Sequence, residues 1–211
     1  PTGAGDSPYT SVSTFAGNPL LIDLKTLAED GLLEESDLSA ARVSPTDQIN
    51  YHALYETREP LLRKAFSRGY GRDAAEVRTF TKRNPWAEEY ALYMASKKNF
   101  GNAAWPDWPD EALRRHAPEA VERYRRELQE EVAFHTYMQY LFFTQWAALK
   151  HDVNSRGIRL IGDLPIYVSL DSADVWSERK EFLLDAGGRP AKVAGVPPDY
   201  FSEEGQLWGN P

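Results

Sequence analysis

Apolar residues recur at helical spacing through most of this chain. Leu24, Leu27, Ala28, Leu32 and Leu33 repeat so over 24–35, interrupted by Gly31. Ser36 to Asp47 reads as a turn region, with an N-cap candidate in Thr46 or Asp47. Over 47–68, Tyr51, Leu54, Tyr55, Leu61, Leu62, Ala65 and Phe66 form a stripe that Pro60 should kink or break. Gly69 and Gly71 end it. A short helix is predicted over 73–81, and another begins at Pro85 and Trp86 and carries Tyr90, Ala91, Leu92, Met94 and Ala95. Gly101 to Pro109 reads as a turn holding Trp105 and Trp108. The strongest helix runs from about 110 or 118 to 154, on Val121, Tyr124, Leu128, Val132, His135, Met138, Phe142, Trp146 and Leu149. Tyr137 to Leu149 is apolar nearly all round, which predicts burial on more than one side.

After Gly157 the period changes. Ile158 to Asp163, then Leu164 to Val168, reads as a short apolar strand and its exit. A long helix, a Gly-bearing link and a short strand form the α-to-β half of an α/β unit. In barrels and doubly wound sheets, polar groups at strand C-termini build the site, so position alone makes Asp163 a functional candidate. A cap or turn role explains the same residue equally well. Ser172 to Leu184 predicts a short helix, and Asp185 to Pro190 a tight turn. Residues 1–19 read as a structured loop, and 194–211 carry no helical or strand period. Long loops of that kind inside a compact domain usually act as lids or binding loops.

With 211 residues, 42% of them hydrophobic, the chain suffices for one globular domain with a real core. The net charge of −8 does not fit a nucleic-acid binder, which needs a basic patch. The one dense basic run, Arg123 to Arg126, reads as a solvated helix face paired as Arg123–Glu127 and Arg126–Glu130. Without Cys there is no disulfide, thiolate metal site or thiol nucleophile. His52, His116, His135 and His151 lack zinc-site spacing, so no metal site is expected. No apolar run is long enough to span a bilayer, and the N-terminus lacks a signal pattern. A cytoplasmic protein fits best. Neither G-x-S-x-G, a P-loop nor G-x-G-x-x-G occurs.

Aromatic residues make up 12% of the chain, with six Trp and eleven Tyr. Most aromatics fill cores, because they bury large apolar areas. Two loops nonetheless mix them with carboxylates and amides, as a sugar site requires. The first holds Asp6, Ser7, Tyr9 and Asn18; the last holds Asp199, Tyr200, Phe201, Gln206, Trp208 and Asn210.

Read as words, these loops resemble those of the amylomaltases, 4-alpha-glucanotransferases of glycoside hydrolase family 77. The opening signature is Gly5-Asp6-Ser7-Pro8-Tyr9 with Phe15-Ala16-Gly17-Asn18-Pro19-Leu20-Leu21-Ile22-Asp23. Trp86 with Tyr90 to Tyr93, and Trp105 to Pro109, resemble the family's helical insert. Gly162 to Val168 resembles its third barrel strand and exit. Gly195 to Ser202, with Gly205 to Pro211, resembles its mobile active-site loop. The motifs span almost the whole chain in the right order.

The resemblance implies an α/β fold, part of a (β/α)8 TIM barrel with a largely helical insertion. Residues 1–211 would form an incomplete catalytic domain, with an insert over about 25–115 and a lid over about 185–211. It implies transfer of α-1,4-glucan segments by a retaining mechanism without cofactor, on maltooligosaccharides. By resemblance Asp163 contacts glucose hydroxyls near the scissile bond, Ser7 and Tyr9 line the donor side, Trp208 stacks near the cleaved linkage, and Asp199, Tyr200 and Phe201 belong to the lid. None of these is a catalytic residue. The family's nucleophile lies in an R-x-D-H-F-type segment, which residues 1–211 lack, so both catalytic carboxylates are expected after Pro211. Ala4 stands where well-known members carry Tyr in a second, remote glucan site, which leaves that site without its Tyr. A non-catalytic glucan-binding fragment is the alternative. An incomplete barrel leaves apolar faces open, so self-association is expected.

Overall fold

The computed structural model describes residues 1–42, 47–163 and 165–211. Thr46, one of the two N-cap candidates, and Leu164 of the expected strand lie outside the described residues. In chain order the elements are α1 (Leu24–Glu29), α2 (Glu35–Ala40), α3 (Tyr51–Gly69), α4 (Ala74–Arg83), α5 (Trp86–Asn99), α6 (Glu111–Arg114), α7 (Pro118–Glu127), α8 (Gln129–Ser155), α9 (Ala173–Ser177), β1 (Gly195–Val196) and β2 (Gln206–Leu207). Short 3-10 turns at Ala4–Asp6, Pro8–Thr10, Pro19–Leu21, Trp105–Asp107 and Arg179–Glu181 punctuate them. The structure is therefore mostly helical with one two-stranded antiparallel sheet.

Two compact units divide the described residues. The first takes Pro1, 16–88 and 133–162; the second takes 2–15, 89–132 and 163–211. The helical stretch predicted over 25–115 is shared between both.

In the first unit, Ile22, Leu27, Leu32, Leu62, Val77, Phe134, Tyr137 and Met138 belong to one core. Its helices start where short polar side chains can accept from free N–H groups. Asp23 accepts from Lys25 and Thr26 at α1, and Asn50 accepts from Ala53 at α3. Asn50, not Asp47, therefore opens α3. Glu34 and Asp37 form a capping box that starts α2, most of which lies inside the stretch expected to be a turn. Pro60 does not break α3, which continues through it into the core residues Leu61, Leu62 and Ala65. Two glutamines of α8 bind backbone on both sides of a peptide. Gln139 accepts from Gly17 N (2.8 Å) and donates to Gly17 O (3.1 Å). Gln145 does the same with Asp23 at 2.7 and 3.1 Å.

Two expectations fail in this unit. First, α8 is buried at Phe134, Thr136, Tyr137, Met138, Gln139 and Leu141, but Trp146 and Leu149 are exposed. All-round apolarity does not bury a segment for which no partner layer is present. Second, residues 158–163 form no strand. Ile158 and Leu160 are exposed, and Ile161 is 94% exposed. A strand exists only through ladder hydrogen bonds to a neighbour, and no described residue pairs with this segment. A closed barrel is thus not present among the described residues.

The second unit has an aromatic core. Trp105, Trp108, Trp176, Tyr90 and Tyr93 are all fully buried. Tyr93, Trp108 and Trp176 meet with centroids 5.6–5.9 Å apart. Each indole N–H finds a carbonyl: Trp105 that of Leu170 (2.6 Å), Trp108 that of Ala103 (3.1 Å) and Trp176 that of Leu113 (2.8 Å). A buried ring's polar atom must be satisfied in this way. The long helix expected from about 110 or 118 is three helices, interrupted at 115–117 and at Leu128. That break alters the charge pairing. Arg123 reaches Glu127 at 4.0 Å as expected. Arg126 instead pairs with Glu122 at 3.8 Å, because Glu130 lies beyond the end of α7.

Candidate functional site

All seven residues singled out as ligand-binding candidates, Ser7, Tyr9, Asp163, Asp199, Tyr200, Phe201 and Trp208, fall in the second unit.

The last loop is a hairpin. β1 and β2 pair in the register Gly195↔Leu207 and Val196↔Gln206. Trp208 N donates to Ala194 O (2.8 Å) and Ala194 N to Asn210 O (2.9 Å), which close its base. At the tip, the Asp199 carboxylate accepts from the N–H groups of Phe201 and Ser202, both at 2.9 Å. Asp199 N donates to Ser202 O (2.9 Å), and Ser202 Oγ to Gly205 O (2.7 Å). Gly205 has φ +76°, and a Cβ there would lie 2.6 Å from Val196 O, so the turn requires glycine. Asp199 therefore shapes the tip from within. That tip presents Tyr200 (97% exposed) and Phe201 (87% exposed), rings edge-to-face at 5.6 Å.

The hairpin base is tied to the segment after Asp163. Trp208 meets Tyr167 at 5.5 Å between centroids, and Asn210 Nδ2 donates to Val168 O (2.8 Å). Trp208 keeps its indole N–H on the neighbouring Gln206 side chain (3.1 Å) and stays 44% exposed. Asp163 is exposed, and among the described residues its carboxylate has no hydrogen-bond partner. Among the described residues it caps no helix; Ser172 is the N-cap of α9. Of the two readings of Asp163, the cap is therefore not the one seen.

Ser7 caps the 3-10 turn Pro8–Thr10 by accepting from Tyr9 N (3.2 Å), and Tyr9 stands out to solvent. Among the described residues, no hydrogen bond or ring contact ties Ser7 or Tyr9 to Trp208, Tyr200 or Phe201. The structure thus couples Trp208 to the segment after Asp163, and Tyr200 to Phe201. It places the first loop separately in the same unit.

Sequence reasoning missed the carboxylates that hold these loops. Asp174, at the start of α9, accepts from Thr14 N (2.7 Å) and Ser13 Oγ (3.4 Å), while Ala173 N donates to Val12 O (2.8 Å). Burial pushes the Asp174 carboxyl above its ordinary range, although these hydrogen bonds pull the other way. Asp171 accepts from Tyr93 Oη (2.5 Å), Lys97 Nζ (2.5 Å) and Trp105 N (3.2 Å). It fixes the stretch that leads back to Val168. Burial and the Asp171 charge together raise the Tyr93 phenol well above its usual value. The sequence holds one local signal for this pair: Asp171-Ser172-Ala173-Asp174 is rich in capping residues, and Ser172 does cap α9. Partners 66 to 161 positions away leave no local trace. Among the described residues, no group of three or more His, Asp or Glu side chains could hold a metal ion, and no helix is long and apolar enough to cross a membrane.

The family model described as 4-alpha-glucanotransferase, of glycoside hydrolase family 77, matches residues 1–211. The chain is 49% identical to a 4-alpha-glucanotransferase of Thermus thermophilus, over all of this chain and 42% of that protein. It is 44% identical to one of Streptococcus pneumoniae serotype 4, with the same coverage. Among solved structures, "Amylomaltase from Streptococcus agalactiae in complex with acarbose" superposes with a TM-score of 0.93 at 41% identity, over all of this chain and 43% of that one. The chain therefore spans about two fifths of the length of these relatives.

Proposed function

The chain belongs to the 4-alpha-glucanotransferase family, and from that premise we propose that the protein carrying it transfers α-1,4-glucan segments to glucose or maltodextrin acceptors. In this reading residues 1–211 contribute substrate binding to a (β/α)8 barrel, and the two catalytic carboxylates lie outside them. One carboxylate attacks the anomeric carbon, and the second protonates the leaving oxygen and later deprotonates the acceptor. The observation that carries the reading is the hairpin. It is an internally hydrogen-bonded loop that spends none of its three rings on a core. Flat exposed aromatics suit the apolar faces of glucose units, and the exposed Asp163, on the segment to which the hairpin base is tied, suits their hydroxyls. The acarbose in the Streptococcus agalactiae amylomaltase complex supports the same ligand class.

Asp163 then accepts from sugar hydroxyls, Trp208 stacks, Ser7 and Tyr9 line the donor side, and residues 185–211 close as a lid that keeps water from the glycosyl intermediate. Incubation of the full-length protein with maltotriose tests this. Glucose with longer oligomers is the product pattern of transfer, whereas glucose with maltose alone denotes hydrolysis. Trp208→Ala and Asp163→Asn should each lower turnover by at least about tenfold, the effect of roughly 1.4 kcal/mol. Unchanged turnover in both variants would remove the basis of the assignment.

A second reading, glucan binding without catalysis, is favoured by the lack of an R-x-D-H-F segment in residues 1–211. It predicts a maltose-dependent change in Trp fluorescence without product. The exposed apolar residues of α8 and 158–161 support self-association of residues 1–211 in isolation, which sedimentation velocity reads directly.

A further inference from the structure

A cavity of about 320 Å³ opens within the second unit, lined by Arg114, Arg115, Arg179, Glu111, Pro106 and the Ala186–Gly187 turn. Its charge runs against that of the chain. Three arginines and one glutamate line it, in a molecule whose net charge is −8. Glu111 is taken by Arg115, at 2.6 Å. Among the described residues, neither Arg114 nor Arg179 has a carboxylate within ion-pair distance. Asp185 lies near Arg179 but does not line the cavity, and its Oδ1 accepts from Arg189 N (2.9 Å).

Two of these guanidiniums are held in place by neutral groups. Arg179 Nη1 donates to Arg114 O (2.6 Å), and its guanidinium sits 5.1 Å from the Trp105 ring centroid. Arg114 Nη1 donates to Trp108 O. Each contact occupies one N–H of a group that carries five, so forked donors remain. Burial, and then the Arg115 charge, both act against the Arg179 cation. An arriving anion offsets the repulsion from Arg115.

We propose that this cavity binds the phosphoryl group of a small phosphorylated metabolite of hexose size. The residues lining the cavity carry a net charge of two positive, offset in part by Asp185 near Arg179, and a phosphomonoester carries about −1.5 to −2 at neutral pH. Guanidinium forks match phosphate oxygens in pairs. The volume lies within the ~300–1,000 Å³ range of small-molecule sites. It holds roughly ten waters at ~30 Å³ each, more room than a bare phosphate requires.

The test is calorimetric titration of the full-length protein with glucose 6-phosphate, inorganic phosphate and glucose, at constant ionic strength because salt screens such contacts. Glucose 6-phosphate should saturate with a Kd below about 1 mM. Inorganic phosphate should bind at least about fivefold more weakly, and glucose should not compete. The Arg115 side chain is solvent-exposed and pairs with Glu111 of its own helical turn. Arg115→Ala should leave the fold intact and weaken glucose 6-phosphate by about tenfold. Arg179→Lys keeps the charge but loses the fork, and should weaken it as well. Saturable binding that both variants leave unchanged overturns the assignment, as does absence of saturable binding. Equal affinity for inorganic phosphate and glucose 6-phosphate overturns the metabolite and leaves a free-phosphate site.

Discussion

Replacing Asp171 tests how the second unit holds the segment behind Asp163. Its carboxylate accepts from Tyr93 Oη, Lys97 Nζ and Trp105 N. The Lys97 side chain is only 14% exposed and that of Asp171 33%. Breaking a buried ion pair from one side costs about 3–5 kcal/mol, because the remaining charge is stranded. Water reaches part of Asp171, which places Asp171→Ala near the lower end, about 3 kcal/mol. For a chain of this size each kcal/mol moves Tm by roughly 2–4 °C, so the melt should fall by about 6–12 °C. Intrinsic fluorescence is a suitable probe, since Trp105, Trp108 and Trp176 are buried in this unit. Asp171→Asn keeps an acceptor and should cost about half as much. Adding Lys97→Met to Asp171→Asn removes the stranded cation and should recover part of the loss, which a double-mutant cycle measures. A decrease below about 1 kcal/mol for Asp171→Ala would refute the view that this carboxylate organises the unit.

Two further outcomes follow from the first unit. Asp73 accepts from Arg72 (2.6 Å) and Tyr137 Oη (2.7 Å), and its carboxyl is held below the usual carboxylate range, chiefly by the Arg72 hydrogen bond. The folded state releases this proton more readily than the unfolded state. The stabilisation is therefore complete above the ordinary carboxylate range and is lost as pH falls through the lower folded-state value. Asp73→Asn should flatten the acid limb of a stability–pH curve, and an unchanged limb would contradict the linkage. At Gly69 an added Cβ would lie 2.0 Å from Tyr137 Oη and 2.7 Å from a Leu32 methyl. Gly69→Ala should thus destabilise by about 1–3 kcal/mol in urea melts despite the better helix propensity of Ala, and a gain in stability would show that the contact is soft.

Much of the helical framework was legible because a stripe at helical spacing is a local property. The stripe through Leu61, Leu62, Ala65 and Phe66 identified α3, and Trp86 the start of α5. What failed depended on neighbours. Leu160 and Ile161 have strand chemistry, yet no adjacent strand among the described residues hydrogen-bonds them. Trp146 and Leu149 have core chemistry without a covering layer. Glu34 and Asp37 cap α2 reciprocally, a device hidden by the polar look of 34–39. The candidate site was legible as words in two loops. Its internal bonding was not, because the bonds of Asp199 to the next turn's N–H groups and of Asp171 and Asp174 to distant backbone follow from geometry rather than composition.

The Asp199 turn has a thermodynamic consequence for any ligand that settles on the hairpin tip. Fixing one residue of loose backbone costs about 1–2 kcal/mol of entropy, so a floppy segment from Pro197 to Gly205 would oppose capture by roughly 10 kcal/mol. Here that immobilisation is already met by the loop's own hydrogen bonds. Only the side-chain torsions of Tyr200 and Phe201 are left to freeze, at about 1 kcal/mol apiece. Weak stacking by a ligand then suffices for net attraction, and release stays rapid.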